Sequence, residues 1–245
     1  MFLTVHALHA LANPARFLRI ARPLTPLLFW AGAALVAIGC WAGLVRTPPD
    51  YLQGETVRIL YIHVPAAWLS MGGWSGIAIA SISFLVWRHP LARIAARAIA
   101  VPGAVFAALC LVTGSIWGRP TWGTWWQWDG RLTSMLLLLF VYLGYMALSR
   151  ADADRGGDGR IPAIYGIAGT LLLPIIRYSV VWWNTLHQGP SIGLTRSSID
   201  ASLLWPLPIM LAGFTLLFAA IVLMRMRAAL ATARAEARLR RMARA

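Results

Sequence analysis

Six long apolar stretches constrain the fold of this chain more than any other feature of its sequence. They lie near residues 24–45, 59–87, 94–117, 132–149, 161–183 and 202–224, and crossing a bilayer takes about 20 helical residues. The mean hydropathy of +0.67 agrees, because a soluble domain of 245 residues with 59% hydrophobic residues could not bury so much apolar surface. The sequence therefore predicts an all-α integral membrane protein, a six-transmembrane-helix bundle that forms a single membrane domain over residues 1–245.

The arginines predict how this bundle is oriented. Basic residues of membrane proteins concentrate in the cytoplasmic connections. Sixteen of the 22 arginines lie in the N-terminal segment, the second and fourth connections and the basic tail 225–245, whereas five lie on the opposite side and Arg177 falls within the fifth span. Both termini are therefore predicted to be cytoplasmic. Attraction to anionic membrane lipids is sufficient to explain the tail, so the net charge of +14 does not indicate nucleic acid.

A tryptophan-rich loop is predicted over residues 117–131, on the outer side of the membrane. It contains five of the thirteen tryptophans, and its glycines and its proline interrupt a helical pattern. Tryptophan often anchors helix ends at the level of the lipid headgroups, which is one interpretation of the cluster. The other is a platform of indole faces for a large, flat, apolar ligand. Density alone leaves both open; the platform would comprise Trp122, Trp125, Trp126 and Trp128.

The histidines separate by their predicted side of the membrane. His6, His9 and His89 fall in cytoplasmic segments and are predicted to be solvated surface residues. His63 lies about one turn inside the outer end of the second span, and His187 lies just beyond the outer end of the fifth. A single histidine near a helix end is usually structural. Two of them at the level of a tryptophan cluster favour binding of a ligand.

The ligand that suits two histidines is a porphyrin iron. Zinc normally takes three or four protein ligands, whereas a haem iron takes two axial imidazoles and its macrocycle takes flat aromatic contacts. Haem propionates call for arginines, which makes Arg58 and Arg131 candidates, although both also suit ordinary anchoring at the interface. Asp129 is predicted to orient an indole N–H or to pair with Arg131. No C-x-x-C-H motif is present, so any haem would be held non-covalently as haem b.

Three segments resemble one family of haem-handling membrane proteins. They are W-G-T-W-W-Q-W-D-G-R-L-T-S, Y-I-H-V-P-A-A-W and W-W-N-T-L-H-Q-G-P, and they are similar to the "WWD" signature and the flanking histidine segments of the cytochrome c maturation protein C family (CcmC, haem exporter protein C). The resemblance implies a protein of the bacterial inner membrane, without enzymatic activity, that holds haem at the periplasmic face and loads it onto the haem chaperone CcmE. It also implies the partners CcmD, a small subunit, and the ABC transporter CcmA/CcmB. The implied haem site comprises His63 and His187 as axial ligands with Trp122, Trp125, Trp126, Trp128, Asp129, Arg58 and Arg131.

Three other functions compete with this interpretation. A membrane b-type cytochrome in electron transfer would favour several histidines buried at different depths, and a permease for a polar solute would favour polar residues at mid-membrane. A haem-free structural subunit is the third alternative. The visible spectrum of the purified protein would separate this last possibility from the haem-binding ones.

Overall fold

The computed structural model describes residues 13–183, 187, 197 and 199–244. In this part of the chain, six helical segments are long and apolar enough to cross a membrane. The first four are α1 (Pro14–Trp41, followed by a π-helical turn Ala42–Arg46), α2 (Leu60–Trp87, preceded by a 3-10 turn Glu55–Ile59), α3 (Ala92–Trp122) and α4 (Gly130–Asp154). The fifth consists of α5 (Arg160–Ala168), a 3-10 turn (Gly169–Leu171) and α6 (Leu172–Trp182), and the sixth of α7 (Ala201–Leu204) and α8 (Pro206–Met242). The predicted all-α, six-helix membrane bundle is confirmed.

The connections between the spans collect at two ends of the bundle. One end, which we call the tryptophan end, holds residues 47–54 and 123–129 together with Trp183 and His187. Residues 88–91 and 155–159 lie at the other, the arginine end. There the Arg93 Nη1 atom donates to the Asp158 carbonyl oxygen over 2.9 Å, and its Nη2 atom lies 3.7 Å from the buried Asp152 carboxylate. These contacts fix the start of α3 against the α4–α5 connection.

Two helices extend beyond their predicted spans at the arginine end. α1 begins at Pro14 instead of near residue 24, because Asn13 caps it: the Asn13 Oδ1 atom accepts from the Ala15 backbone N–H over 2.8 Å. α8 continues to Met242 because no glycine or proline follows Gly213. In both cases the apolar pattern marks the membrane, whereas capping and helix propensity mark the end of the helix.

The fifth span is broken at a position that the sequence does not reveal. Between α5 and α6, a methyl group on Gly169 would lie 2.3 Å from the Trp74 ring. Trp74 is fully buried, and the edges of Tyr142 and Tyr145 pack against it at centroid distances of 4.9 and 6.0 Å. Since only glycine fits against this indole, the break occurs where the span meets the central aromatic core.

The first and last spans contact each other through glycines. A methyl group on Gly32 of α1 would lie 2.9 Å from the Gly213 carbonyl oxygen of α8, and one on Gly213 would lie 2.9 Å from the Val36 backbone nitrogen. Two turns after Gly32, Gly39 faces Met210. Small residues allow such backbone-to-backbone packing in membranes, so α1 is held mainly by α8.

Candidate functional site

The tryptophan loop is shorter than the sequence predicts. Helix α3 continues through Trp117 to Trp122, and Gly123 ends it with a φ of +76°, a left-handed conformation that glycine adopts without strain. Only residues 123–129 are non-helical, instead of the predicted 117–131. Pro120 lies within the last turn and does not end the helix earlier. Trp117 and Trp122 therefore project from a helix, whereas Trp125, Trp126 and Trp128 lie in the loop.

Asp129 joins the start of α4 to His187. One carboxylate oxygen, Oδ1, caps the helix by accepting from the Leu132 backbone N–H over 2.7 Å. The other, Oδ2, lies 2.8 Å from His187 Nδ1. A carboxylate accepts hydrogen bonds, so Nδ1 carries the proton, and in the neutral imidazole Nε2 is the nitrogen with the lone pair. The sequence predicted an indole or Arg131 as the partner of Asp129; the structure gives it the His187 imidazole as a partner, and Arg131 lies within electrostatic range of the same carboxylate.

His63 is oriented by a neutral partner on the neighbouring helix. Its Nδ1 atom lies 3.0 Å from Thr113 Oγ1. The single hydroxyl proton of Thr113 is directed to the Leu109 carbonyl oxygen, 2.7 Å away, so Oγ1 accepts from His63 Nδ1. The Nε2 atom of His63 is thereby also left with its lone pair. Gly114 allows this approach, because a methyl group there would lie 3.0 Å from His63 Cε1.

Each of the two histidines packs against an indole of α3. Trp122 folds back over Gly118 and packs against His187 at a centroid distance of 4.7 Å. Trp117, one turn earlier, meets His63 edge-on at 5.7 Å. His63 also lies within electrostatic range of both His187 and Arg131. The structure thus brings together the two histidines that the sequence singled out, from α2 and from the connection after α6.

The loop tryptophans differ in exposure and in hydrogen bonding. Trp125 and Trp128 are exposed, and the Trp125 carbonyl oxygen accepts from Ser115 Oγ over 2.6 Å. Trp126 is half-buried and packs edge-on against Trp128 at 5.4 Å. Its Nε1 atom is buried and has no hydrogen-bond acceptor among the described residues. A donor without an acceptor at this place suits a ligand that carries oxygen atoms.

The two candidate arginines are in different situations. Arg58 donates to the carbonyl oxygens of Leu44 and Thr47 and forms a 2.7 Å ion pair with Glu55. It therefore ties the end of α1 to the start of the second span. Arg131 is half-buried at the start of α4, and within the described residues no hydrogen bond or ion pair holds its guanidinium. Binding of a ligand by either arginine stays a prediction.

Several residues near the site were not put forward from the sequence. Thr113 orients His63, Gly114 gives it room, and Gln53 accepts from the Trp117 Nε1–H over 2.6 Å. Trp183 packs over Gly130, where a methyl group would lie 3.0 Å from its ring. Thr113 and Trp117 are four residues apart and therefore lie on one face of α3. This spacing was the signal in the sequence that could have indicated their shared role beside His63. Of the other histidines, His89 lies at the arginine end, whereas His6 and His9 lie outside the described residues.

Fold and site together define a class of protein: polytopic membrane proteins that present two oriented imidazoles and a cluster of indoles at one end of a helix bundle. A family model described as "Heme exporter protein C" matches residues 7–241. Similar proteins of that name occur in Bradyrhizobium diazoefficiens, 52% identical over 218 residues (89% of this chain and 82% of the relative), and in Escherichia coli K12, 48% identical over 220 residues (90% and 89%). A relative from Rhodobacter capsulatus is 37% identical over 228 residues (92% and 94%). The chain belongs to the heme exporter protein C family, which confirms the resemblance seen in its sequence.

Proposed function

We propose that this protein binds haem b non-covalently at the tryptophan end and delivers it to the periplasmic haem chaperone CcmE during biogenesis of c-type cytochromes. The proposal rests mainly on one observation: both histidines use the same ring nitrogen, Nδ1, in a hydrogen bond to the protein. In the neutral imidazoles Nε2 is therefore the nitrogen with the lone pair that a metal needs, and both histidines lie beside indoles of α3. Membership of a family named for haem export supports the same ligand.

The rest of the site suits the remainder of a haem molecule. Haem carries two negatively charged propionates, and among the described residues the site offers a buried donor without an acceptor in Trp126 Nε1 and a half-buried guanidinium in Arg131. Arginine binds carboxylates through paired hydrogen bonds. Arg58 would have to exchange its contacts with Leu44 and Thr47 to do the same. The indole faces of Trp122, Trp125, Trp126 and Trp128 supply flat apolar contacts for the macrocycle.

The proposed function is binding and transfer without catalysis, and it requires partners. We assign the tryptophan end to the periplasm, because sixteen of 22 arginines lie toward the other end and basic residues mark the cytoplasmic side. Haem would then face CcmE across the exposed Trp125 and Trp128. The sequence contains no P-loop motif, so ATP would be used by the transporter CcmA/CcmB, with CcmD as a small additional subunit of the bacterial inner-membrane complex.

Haem content of the purified protein tests the proposal directly. We expect a Soret band, a positive pyridine haemochrome assay and a six-coordinate spectrum from the intact protein. Substituting His63→Ala or His187→Ala removes one axial ligand and should deplete haem or leave a five-coordinate spectrum that added imidazole restores. His89→Ala at the arginine end is the matched control and should match the unsubstituted protein. An unchanged six-coordinate spectrum in both single variants would refute the ligand assignment.

The main alternative, a b-type cytochrome of electron transfer, would use haems at two depths of the membrane. The histidines of the described residues lie at the two ends, with only His63 and His187 close together. The two functions differ in one measurement, the yield of covalent CcmE–haem adduct in membranes that contain this protein. A delivery protein raises that yield, whereas an electron carrier leaves it unchanged.

A further inference from the structure

Exposed apolar side chains outside the helical segments are distributed unequally between the two ends. Among the described residues, the large ones are Tyr51, Leu52, Trp125, Trp128 and Trp183, and all of them lie at the tryptophan end. Within the part of the helices that crosses the membrane, exposure of this kind is explained by contact with lipid, and at the arginine end Leu239 and Met242 are exposed on the helical tail that follows the sixth span. The connections lie beyond the spans. The exposed side chains of the connections at the tryptophan end therefore call for a partner other than lipid.

Tyr51 and Leu52 form the most exposed part of this surface. Their side chains are 97% and 84% exposed, more than any other large hydrophobic side chain described, and Trp128 follows at 74%. Both project from a short turn over residues 50–54, which we call the tip turn. Large apolar side chains that are held fully in solvent are typical of surfaces that bind another protein.

The tip turn is held rigidly although its two apolar side chains contact little. Asp50 and Gly54 exchange two backbone hydrogen bonds of 3.1 and 2.9 Å. The Asp50 carboxylate accepts from the backbone N–H groups of Leu52 and Gln53 over 2.9 and 2.8 Å. A preformed turn loses little conformational entropy when it binds. Its tip is therefore suited to insert into an apolar recess of a partner.

The tip turn is also joined to the candidate haem site. The Gln53 side chain accepts a 2.6 Å hydrogen bond from the Trp117 indole, and Trp117 packs edge-on against His63. A protein that covers Tyr51 and Leu52 would therefore lie close to His63. The charged residues Asp50 and Glu55 flank the tip and oppose its insertion into the hydrocarbon layer.

We infer that Tyr51 and Leu52 are a docking surface for the soluble protein that accepts haem, and that they pack into an apolar patch on that protein. The inference rests on the proposed function, because it assigns a contact surface to the acceptor of that transfer. The histidines hold the haem, and the tip turn positions the acceptor beside it. Tyrosine is enriched among the residues that dominate binding at protein interfaces.

Transfer kinetics test the inference with purified components. The protein is loaded with haem in lipid nanodiscs and mixed with the soluble domain of the periplasmic haem chaperone at increasing concentrations. We expect Tyr51→Ser combined with Leu52→Ser to retain the haem content and spectrum of the unsubstituted protein. The concentration of chaperone needed for half-maximal transfer should rise about tenfold or more, since interface anchors of this kind carry most of the affinity, and saturating chaperone should restore the maximal rate.

The matched control is Leu239→Ser, which removes an exposed leucine from the tail at the opposite end and should leave the transfer curve unchanged. Unchanged transfer in the Tyr51/Leu52 variant would overturn the inference, and so would loss of haem or a lowered rate that saturating chaperone does not restore. If the unsubstituted protein itself transfers no haem, the proposed function fails instead.

A spin label on Leu52→Cys separates the chaperone from the lipid bilayer as the partner of the tip turn. We expect the label to be accessible to a water-soluble nickel relaxant and to lose that access when the chaperone is added. A label that is shielded from nickel without chaperone, but accessible to oxygen, would place the turn in the bilayer and overturn the inference.

Discussion

The two halves of the candidate site orient their histidines by different means. His187 lies outside the helices, and a buried carboxylate, Asp129, holds its Nδ1–H. His63 lies inside α2, and a neutral hydroxyl, Thr113, is sufficient there. The two candidate arginines also differ. No hydrogen bond or ion pair from the described residues holds Arg131, whereas Arg58 is engaged by two carbonyls and a carboxylate.

This difference follows from the backbone that carries each imidazole. A helix already fixes the direction of His63, so its partner needs only to select the protonated nitrogen. His187 belongs to no described helix, and the stronger charge-assisted hydrogen bond to Asp129 fixes its direction instead. A carboxylate partner also makes an imidazole a better electron donor to a metal. We therefore expect the His187 half to contribute more to iron binding and the His63 half to depend more on packing.

Removing the charge of Asp129 should give the largest effect on haem affinity, because it weakens the His187 half of the site and leaves the His63 half intact. Asparagine caps helices about as well as aspartate, so Asp129→Asn keeps the start of α4 while it weakens the bond to His187. Loss of such a partner typically lowers metal affinity about 10- to 100-fold, and we expect a similar loss of haem affinity. Haem titration of the purified protein measures it.

Asp200→Asn is the control for Asp129→Asn, because Asp200 also caps a helix and accepts from the Ser202 N–H over 2.8 Å. We expect its haem affinity to be unchanged. Equal affinities in both variants would show that the carboxylate on His187 adds nothing, and the contrast between the two halves would then disappear.

The arginines should give the next largest effect. Arg131→Ala should weaken haem binding, since a hydrogen bond to a charged group contributes about 1.5–3 kcal/mol. Arg58→Ala should instead lower the stability of the protein, because the carbonyls of Leu44 and Thr47 lose their donor. Haem affinity and thermal unfolding of both variants separate the two roles. A larger loss of haem from Arg58→Ala than from Arg131→Ala would reverse the assignment.

Thr113→Val should have the smallest effect. Valine has nearly the same shape as threonine but cannot accept from His63 Nδ1, and one neutral hydrogen bond contributes about 0.5–1.5 kcal/mol. We expect haem affinity to fall only a few-fold and Thr113→Ser to restore it. Thr215→Val is the control, because Thr215 makes the same bond to its own helix, 2.6 Å from the Leu211 carbonyl oxygen. A loss as large as that of Asp129→Asn would contradict the proposed division between the halves.

The sequence indicated the bundle well and the site only in part. The six apolar stretches predicted the spans because lipid imposes a length and a composition on every helix that crosses it. His63, His187 and the tryptophans were conspicuous by residue type and position. Thr113, Gly114 and Gln53 are ordinary residues whose roles exist only after α2 and α3 have packed. The hydrogen bond between Asp129 and His187 was missed for the same reason: a contact across 58 residues leaves no local pattern.

The glycine contact between α1 and α8 has a consequence for how the protein is made. α1 is complete at Trp41, whereas its partner begins only at Pro206. A ribosome that adds about 5–20 residues per second needs roughly 10–30 s to synthesise the chain between them. During that interval the surface of α1 around Gly32 and Gly39 has only lipid to contact. Closing the bundle is therefore a late event in synthesis, and α1 must stay inserted in the membrane until the last span arrives.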